Sequence, residues 1–284
     1  MHRSSRWIAQ ALGAQLHGND VEVTGTVETD SREIRQGSLF VARRGENSDG
    51  HDYLDAAAQN GAVAAIVEHL CDSPLTQIVV EDSTIALGEL ARAYLSDLRS
   101  HQKLDVIAMT GSVGKTTTKD LLAAIMSADA PTVAPQLSFN NEVGLPLTVL
   151  RADESTRHLV LEMGASGPGH SAYLTRIAPP DAGIELMVGH AHLGGFGSVE
   201  GVRDAKAELI QGLVPSGSSI LNFDDPHVME MAAYAPGRVV TFSASGNRQA
   251  DSSAHAISLD EQGKASFELH LDGRVIPVHL GLVG

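Results

Sequence analysis

Apolar and polar positions alternate along this chain in a way that predicts strands and helices in turn. The apolar run Val106–Met109 has the continuous hydrophobicity of a buried strand. A glycine-containing turn follows it, and Leu121, Leu122, Ile125 and Met126 then recur at helical spacing. This stretch predicts a strand, a loop and a helix in succession, and the rest of the chain repeats the alternation that is typical of an α/β fold.

The first hundred residues predict a small N-terminal α/β domain. Ser4 and Ser5 can cap a helix that reaches about His17, and a second helix is predicted from Ser83 to about Leu98. A polar stretch then ends this region, so we place a domain boundary there. The division is into an N-terminal domain over residues 1–102 and a second domain over residues 103–284. Strands are predicted over 37–42, 62–67 and 78–80, and a further helix over 53–60.

The second domain predicts a mostly parallel sheet with helices on both faces. In open parallel sheets, ligands bind at the carboxyl ends of the strands, so we expect Gly111, Glu162 and His192 to converge there. Strands are predicted over 106–109, 158–162, 182–188 and 219–222, and helices after 115, near 170–177 and over 199–213. Short alternating stretches over 239–242, 254–259, 266–271 and 275–282 predict an antiparallel β-appendage.

The loop Gly111–Thr117 has the residue types of a phosphate site. A glycine loop at the start of a helix leaves backbone N–H groups available to an anion, at the positive end of the helix dipole. Lys115 would add a positive charge for the β- and γ-phosphates, and Thr116 a hydroxyl for Mg²⁺. The usual P-loop pattern has a further glycine where this chain has Met109, so the loop is a variant in which Gly111 makes the close approach.

Composition argues against two classes of partner and leaves anionic small molecules open. The net charge of −15 argues against a nucleic-acid or anionic-membrane partner, because those partners need a basic face. Cys71 is the single cysteine, which excludes an internal disulfide and a multi-thiolate metal site. The sequence shows no signal peptide and no apolar run long enough to span a membrane. We therefore expect a cytoplasmic protein. A monomeric state is a separate expectation, which these observations do not determine.

Several polar side chains at predicted strand ends are ambiguous when each is taken alone. Glu162 would suit Mg²⁺ as a carboxylate ligand, or it would simply face solvent. His190 and His192 lack the further ligands that a zinc site needs. Lys206 alone would be a helix-surface lysine. Three asparagines would pass as turn residues, namely Asn140, Asn141 and Asn222.

Short motifs follow one another along the chain, among them Asp30–Arg32, Gly37–Ala42, Thr110–Thr117, Asn140–Pro146 and Leu221–Pro226. Taken together, they resemble the motifs of the Mur ligases, in the same order and over essentially the whole chain. Within that family, Asn140–Pro146 and the loop over 45–52 resemble the branch that joins D-alanyl-D-alanine to UDP-N-acetylmuramoyl-tripeptide more than the branch that adds the third residue. The matching motifs are Asp30–Arg32, Gly37–Ala42, Gly45–Glu46 with Asp49–Asp52, Thr110–Thr117, Asn140–Pro146, Glu162–Gly164, Ala191–Leu193 with Phe196–Ser198, Ala205–Lys206 and Leu221–Pro226.

The resemblance implies an ATP-dependent amide ligation in peptidoglycan precursor synthesis, through an acyl phosphate. It assigns catalytic roles to Lys115, Glu162, His192 and Lys206. It assigns Mg²⁺ to Thr116, Glu162, His192 and Lys206, with Lys206 carrying a carbamate. ATP would contact Gly111, Ser112, Val113, Gly114, Lys115, Thr116, Thr117 and, at the adenine, Asn222. The UDP-sugar would contact Asp30, Ser31, Arg32, Asp49, Gly50, His51, Asn140 and Asn141.

The chain also departs from the family pattern. Met187 stands where many relatives have an asparagine, and Arg43 and Ser48 replace residues that are usually apolar. Family members carry a third, Rossmann-like domain that binds the incoming dipeptide, and this chain ends at Gly284, about where that domain would begin. We therefore expect the chain to bind the UDP-linked substrate, and Mg·ATP weakly, without turnover.

Other functions stay open at this point. A related ligase that adds the third residue, or a folylpolyglutamate synthase, would share the phosphate loop. From a different class, the chain could be a nucleotide-dependent switch or a non-catalytic binder of nucleotides or UDP-sugars. A guanine-type switch would need an Asn-Lys-x-Asp run, which the sequence lacks. A binder would tolerate Lys115→Ala in the full-length enzyme, whereas a ligase would lose activity by orders of magnitude.

Overall fold

The structure is a computed structural model that describes residues 1–45, 48–189 and 198–283. Two of the motifs fall partly outside these residues, one with Glu46 and one with His192. The metal and catalytic roles of His192 therefore stay predictions. No helix within the three ranges is long and apolar enough to cross a membrane.

Residue contacts divide the chain into two compact units, each made of several stretches of sequence. The motif-based boundary at residue 102 stays a prediction. The first unit comprises Met1–Val106, Thr118–Met163 and Arg176–Ala178. The second comprises Ile107–Thr117, Gly164–Thr175 and Pro179–Gly284.

Strands and helices alternate along most of the chain, as the sequence pattern predicts. The strands are β1 (Arg3–Ser4), β2 (Gln15–His17), β3 (Glu22–Val23), β4 (Val27–Glu28), β5 (Ser38–Val41), β6 (Ala62–Val67), β7 (Thr76–Val79), β8 (Asp105–Thr110), β9 (Thr132–Val133), β10 (His158–Glu162), β11 (Ala182–Glu185), β12 (Ser218–Asn222), β13 (Val239–Ser243), β14 (Ser252–Leu259), β15 (Lys264–Leu271) and β16 (Arg274–Val283). The α-helices are α1 (Ser5–Ala11), α2 (Leu54–Gln59), α3 (Ser83–His101), α4 (Lys115–Asp129), α5 (Gly144–Val149), α6 (His170–Ile177), α7 (Val199–Gln211) and α8 (Pro226–Glu230). Short 3₁₀ helices cover Gly50–Tyr53 and Met231–Tyr234.

A five-stranded sheet organises the N-terminal part of the first unit. Its strands lie in the order β2-β7-β6-β5-β4, and all are parallel to their neighbours except β2, which joins β7 antiparallel. Parallel strands are buried on both faces, which explains the continuous apolar character of β5 and β6. Ile34, Phe40 and Leu54 belong to one buried apolar cluster beside these strands. Further along the unit, β9 pairs with β10 in parallel.

α1 is shorter than the helical spacing predicts. Ser4 caps it as expected, but the helix ends at Ala11 and does not reach His17. Gly13 takes a φ of +60° just after the helix, a conformation that commonly ends helices. The following residues form β2 and pair with β7. The prediction was wrong here because strand pairing with a distant segment decides the conformation of this stretch.

A parallel sheet also organises the second unit. β8, β11, β12, β13 and β14 are consecutive neighbours and run parallel, and β15 and β16 extend this sheet antiparallel to β14. The register places Glu185, the last residue of β11, beside Thr110 on β8 and Leu221 on β12. The predicted antiparallel appendage is confirmed for β14–β16. The stretch over 239–242 was expected there as well, but it forms β13 and pairs in parallel with β12.

Gly212, at the C-terminal end of α7, leaves no room for a side chain. A Cβ there would lie 2.2 Å from Oγ1 and 2.4 Å from Cβ of the buried Thr175. We expect Gly212→Ala to lower the free energy of unfolding by about 1–3 kcal/mol, the usual cost of overpacking. Thermal unfolding followed by circular dichroism measures this loss. Gly167→Ala is the matched control, because no atom lies within 4 Å of its Cβ position, and equal losses would contradict the packing explanation.

Candidate functional site

The phosphate loop connects β8 to α4 through two glycines in unusual backbone conformations. Gly111 has a φ of +155° and Gly114 a φ of +84°, which side-chain-bearing residues rarely adopt. A Cβ at Gly111 would also lie 2.8 Å from Cβ of Leu186. The backbone therefore approaches Leu186 closely at Gly111, and the predicted close approach of Gly111 to a phosphate stays a prediction. The loop is shaped by its main chain, which is also the part that would bind a phosphate.

The side chains of the loop hold it in place on one side and leave the other side accessible. The Ser112 hydroxyl accepts a hydrogen bond from Gly189 N at 2.7 Å, and Ser112 N donates to the carbonyl of Met187 at 2.9 Å. Met187 thus contacts the loop through its backbone carbonyl. This bond does not depend on which side chain stands at position 187. Lys115 Nζ donates to Gly111 O at 2.8 Å. The exposed residues are Val113, Gly114, Thr116 and Thr117.

Asn222 lies at the end of β12 and uses its amide group within the protein. Its Nδ2 donates to Leu186 O at 2.8 Å, and its Oδ1 accepts from Asp224 N at 3.0 Å. These bonds join the ends of β11 and β12 to the turn that follows. The adenine contact of Asn222 stays a prediction. The structure shows in addition that its side chain positions these strand ends and the turn.

Lys206 is buried, which excludes the surface-lysine interpretation. Only 5% of the residue is exposed, on α7. Burial lowers the pKa of Lys206 to about 8; the charge of Glu185 opposes this shift and that of Lys115 adds to it. Glu185 is 0% exposed, and burial raises its pKa well above the usual range, with Lys206 opposing and Asp225 adding. Sequence reasoning missed Glu185, although a carboxylate that ends an apolar strand was a visible signal.

Glu162 ends β10 in the first unit as a buried carboxylate. It is 1% exposed, and its Oε1 accepts a hydrogen bond from Asn140 Nδ2 at 2.7 Å. The Asn141 Oδ1 accepts from Gly144 N, at the start of α5, at 2.9 Å. Lys119 Nζ donates to Pro135 O at 2.9 Å and lies 2.8 Å from Asp120 Oδ1. The two asparagines are therefore more than turn residues, since one of them positions a predicted metal ligand.

The predicted magnesium ligands have suitable chemistry. A carboxylate and a hydroxyl supply the oxygen donors that a hard cation prefers, and the bond from Asn140 orients the Glu162 carboxylate. Glu162 belongs to the first unit and Thr116 to the second, while His192 lies outside the described residues. The predicted convergence at Gly111 and the magnesium site thus stay predictions. In the described ranges, no group of three or more His, Cys, Asp or Glu residues could hold a metal.

A cavity of about 710 Å³ in the first unit gathers several of the predicted UDP-sugar residues. Its volume lies in the range of about 300–1,000 Å³ that small-molecule sites usually have. Arg32 and Arg43 give it cationic groups for an anionic ligand. Arg43 and Ser48, the departures in the first-domain loop, both line it. Its remaining lining residues are Thr29, Asp30, Ser31, Phe40, Gly45, Gly50, Tyr53 and Ala56.

A second cavity of about 770 Å³ in the same unit is a poorer candidate. Four acidic side chains line it, and a negative surface repels a diphosphate. They are Glu68, Glu81, Asp82 and Glu89.

Asp30 and Arg32 form a two-pronged ion pair at the edge of the 710 Å³ cavity. Arg32 Nη2 donates to Asp30 Oδ2 at 2.6 Å, and Arg32 Nε donates to Asp30 Oδ1 at 2.9 Å. Hydrogen bonds from the Arg32 side chain lower the pKa of Asp30 to about 2. The Arg32 side chain is 86% exposed, so the pair contributes little to stability. An exposed guanidinium held in one orientation is well placed to bind a ligand.

His51 lies beneath the loop that contains Asp49 and Gly50. Its Nε2 accepts a hydrogen bond from Glu68 N at 2.9 Å, so its proton is on Nδ1, which lies 2.5 Å from Asp49 Oδ1. The residue is 8% exposed. The predicted substrate contact of His51 stays a prediction, and the structure shows that His51 positions the loop of which Gly50 lines the cavity.

Comparisons with known proteins match both parts of the chain. Residues 109–284 match the Mur ligase middle domain, and residues 22–95 match a domain described as Mur ligase family, catalytic domain. The UDP-N-acetylmuramoyl-tripeptide--D-alanyl-D-alanine ligase of Mycobacterium bovis is 43% identical over 281 residues, which cover 92% of this chain and 54% of that protein. The chain thus spans about half the length of the curated relatives it matches.

Two solved structures are similar in both fold and sequence. MurF from Acinetobacter baumannii has a TM-score of 0.89 and 32% identity, covering 100% of this chain and 62% of that one. The MurF ligase from Thermotoga maritima, solved in complex with ADP, has a TM-score of 0.76 and 33% identity, covering 90% of this chain and 58% of that one.

The Asp30–Arg32 pair predicts a specific pH response. A carboxylate whose pKa is lowered in the folded state contributes stability above its unfolded pKa of about 3.9, and loses it as the pH falls through the folded value. For Asp30 that loss is complete near its folded pKa of about 2. We expect Arg32→Met to raise the Asp30 pKa towards its usual value, in part only, since Arg32 N still donates to Asp30 Oδ1. Carbon-13 NMR titration of the Asp30 carboxyl group measures this pKa in the wild type and in Arg32→Met.

Arg35→Met is the control for this titration. Arg35 is a nearby surface arginine that does not contribute to the Asp30 shift. An unchanged Asp30 pKa in Arg32→Met, or equal changes in both variants, would contradict the ion pair.

Proposed function

We propose, from the premise that this chain belongs to the Mur ligase family, that it serves the ATP-dependent ligation of D-alanyl-D-alanine to UDP-N-acetylmuramoyl-tripeptide. The observation that carries this proposal is the glycine-shaped phosphate loop at the start of α4, in a chain 43% identical to a ligase of that name. The reaction would contribute to peptidoglycan precursor synthesis. A cytoplasmic location and a monomeric state remain predictions beside it.

The nucleotide half of the proposal rests on the phosphate loop. Backbone N–H groups at the start of α4 suit the phosphates, and Lys115 can move its ammonium from Gly111 O to a phosphate oxygen. The similar structure from Thermotoga maritima, which was solved in complex with ADP, supports nucleotide binding by a protein of this fold. Thr116 and Glu162 would hold Mg²⁺, which neutralises charge on the phosphates when bound.

The substrate half rests on the 710 Å³ cavity of the first unit. Arg32 and Arg43 can bind diphosphate oxygens, because a guanidinium offers paired N–H donors in a fixed plane. Ser31 adds a hydroxyl at the same cavity. A cavity with cationic and hydroxyl groups in an otherwise acidic protein fits the UDP end of the substrate better than it fits a neutral ligand.

The chemistry that follows needs positioning and charge neutralisation more than a protein nucleophile. The terminal carboxylate of the tripeptide attacks the γ-phosphorus of ATP, the bond to ADP breaks, and an acyl phosphate forms. The amine of D-alanyl-D-alanine then attacks the acyl carbon through a tetrahedral intermediate, and inorganic phosphate leaves. Lys115 would stabilise the negative charge that develops on the transferred phosphoryl group.

Nucleotide binding tests the first half of the proposal. We expect Lys115→Met to weaken Mg·ADP binding by about 10- to 100-fold, because a charged hydrogen bond to phosphate is lost. Isothermal titration calorimetry on this chain measures it. Lys103→Met is the matched control, since that lysine side chain is 84% exposed and lies outside the loop. Equal affinity in the wild type and Lys115→Met would refute the proposed phosphate site.

Binding of UDP-N-acetylmuramoyl-tripeptide tests the second half. We expect Arg32→Met to weaken it by roughly tenfold or more, because a guanidinium contact to the diphosphate is lost. Arg35→Met, outside the cavity, is expected to keep wild-type affinity. Fluorescence anisotropy with a labelled substrate measures both variants. An identical effect of the two substitutions would show that general surface charge, and not this cavity, attracts the ligand.

A further inference from the structure

Two consecutive aspartates, Asp224 and Asp225, lie in the turn that follows β12, at the carboxyl end of the parallel sheet of the second unit. Of the residues in this turn, the family resemblance assigns a role to Asn222 alone. Both carboxylates accept hydrogen bonds from backbone N–H groups, but they hold different segments of the chain. Ligands bind at this end of a parallel sheet, so the segments that the two aspartates hold bear on the proposed nucleotide site.

Asp225 holds the irregular segment that follows β11. Its Oδ2 accepts a hydrogen bond from Val188 N at 2.7 Å. Its Oδ1 accepts from His227 N at 2.9 Å and so caps α8. The two oxygens therefore have separate partners, one at the start of α8 and one beyond the end of the neighbouring strand. Val188 is buried, so loss of the acceptor for its N–H group would be costly.

The residues on either side of Val188 bind the phosphate loop. Met187 O accepts a hydrogen bond from Ser112 N at 2.9 Å, and Gly189 N donates to Ser112 Oγ at 2.7 Å. Because β11 ends at Glu185, regular strand pairing does not extend to this segment. Val188 lies between the two contacts with Ser112 in the sequence, so a carboxylate that binds Val188 holds the segment at its centre.

The same segment also limits the space beside the phosphate loop at Gly111. A Cβ at Gly111 would lie 2.8 Å from Cβ of Leu186. Leu186 O accepts a hydrogen bond from Asn222 Nδ2 at 2.8 Å, so the turn after β12 holds this segment at two points, Leu186 and Val188. A displacement of the segment would change both the support of Ser112 and the packing beside Gly111.

Asp224 holds the other side of the turn and provides a comparison. Its Oδ2 accepts from Ala244 N at 2.8 Å and from Ser245 N at 2.9 Å. Its Oδ1 accepts from the hydroxyl groups of Ser243 and Ser245, each at 2.7 Å. These residues lie at the end of β13, and β12 separates β13 from β11 and the phosphate loop. Asp224 and Asp225 thus have the same chemistry and differ in the strand end that they hold.

We propose that Asp225 is a positioning residue of the candidate nucleotide site: it holds Val188, and through the segment around Val188 it keeps the phosphate loop in the conformation that binds phosphate. The inference rests on the proposed function for the identity of the ligand, and it adds a residue that acts from behind the loop. A loop whose shape is fixed before the ligand arrives has a smaller ordering cost on binding. Loss of the bond to Val188 therefore loosens the loop and weakens phosphate binding as a consequence.

Amide hydrogen exchange, followed by NMR on the ligand-free 284-residue chain, tests the contact. Asp225→Ser keeps a hydroxyl oxygen that can cap α8 and removes the second oxygen, which binds Val188 N. We expect this variant to exchange the amide protons of Ser112 and Gly189 about tenfold faster than the wild type, because the segment that holds them opens more often. Unchanged exchange at Ser112 and Gly189 would overturn the proposal.

Asp224→Ser is the matched control for the exchange measurement. It removes the acceptor for Ala244 N and Ser245 N, so we expect faster exchange at these two residues and wild-type exchange in the phosphate loop. Equal acceleration of both regions in each variant would indicate general destabilisation of the sheet. That outcome would also overturn a specific role of Asp225.

Isothermal titration calorimetry with Mg·ADP tests the consequence for binding. We expect Asp225→Ser to weaken binding by about 5- to 20-fold, since the loop must then be ordered by the ligand. In Ser112→Ala, which removes the acceptor for Gly189 N, the same substitution is expected to have a smaller effect, because the link from Val188 to the loop is already weakened. Unchanged affinity in Asp225→Ser, or effects of equal size in both backgrounds, would overturn the positioning role.

The two measurements separate this inference from the proposed function. A wild-type chain that does not bind Mg·ADP would refute the proposed phosphate site. The exchange measurement needs no ligand, so it would still decide whether Asp225 holds the phosphate loop.

Discussion

The positive φ angles of Gly111 and Gly114 are the constraint on which the candidate nucleotide site depends. They turn the chain from β8 into α4 within a few residues and direct the main chain towards the side where we propose that phosphate binds. Leu186 occupies the space that a side chain at Gly111 would need, so the neighbouring strand end and the loop fix each other. A loop shaped in this way tolerates a variant motif, because the groups proposed to bind phosphate are backbone N–H groups that Met109 does not alter.

Burial of charge is the second theme of the structure, and the buried ionisable groups differ in the partners they have. Glu162 has a hydrogen bond from Asn140, and Lys119 has a carbonyl and a neighbouring carboxylate. Burial shifts the pKa values of Lys206 and Glu185, and the charge of each opposes the shift of the other. Since unpaired buried charges cost folding stability, such groups are usually kept for a purpose. Lys206 and Glu185 occupy the region beside the phosphate loop, where chemistry is expected.

The sequence alone predicts the elements whose causes are local. The continuous apolar run of β10 and the helical spacing of α6 are confirmed, since each pattern is contained in a short stretch of sequence. The end of α1 and the direction of β13 could not be predicted, because pairing with another strand decides both. The antiparallel strands after β13 were predicted from their alternation and turns.

The same distinction applies to the candidate site. The phosphate loop could be recognised from residue types, because its chemistry is contained in one short stretch. The bond from Asn140 to Glu162 joins residues 22 positions apart, and the burial of Lys206 and His51 depends on what packs over them. No pattern of hydrophobicity carries that information, so a lysine that appeared to be on the surface is in fact buried.

α4 has a weak attachment for a helix that begins at a binding site. Lys119 is its one fully buried residue, while Leu121, Leu122 and Met126 are half-buried and Ile125 is 66% exposed. A helix held largely by one polar contact opens more readily than one held by an apolar face. A phosphate bound at its first turn would stabilise the folded form of α4. Phosphate binding at the loop and order along the helix are therefore thermodynamically linked. Phosphate binding at the loop would then increase the order of the chain about 20 Å away, at the far end of a helix of this length.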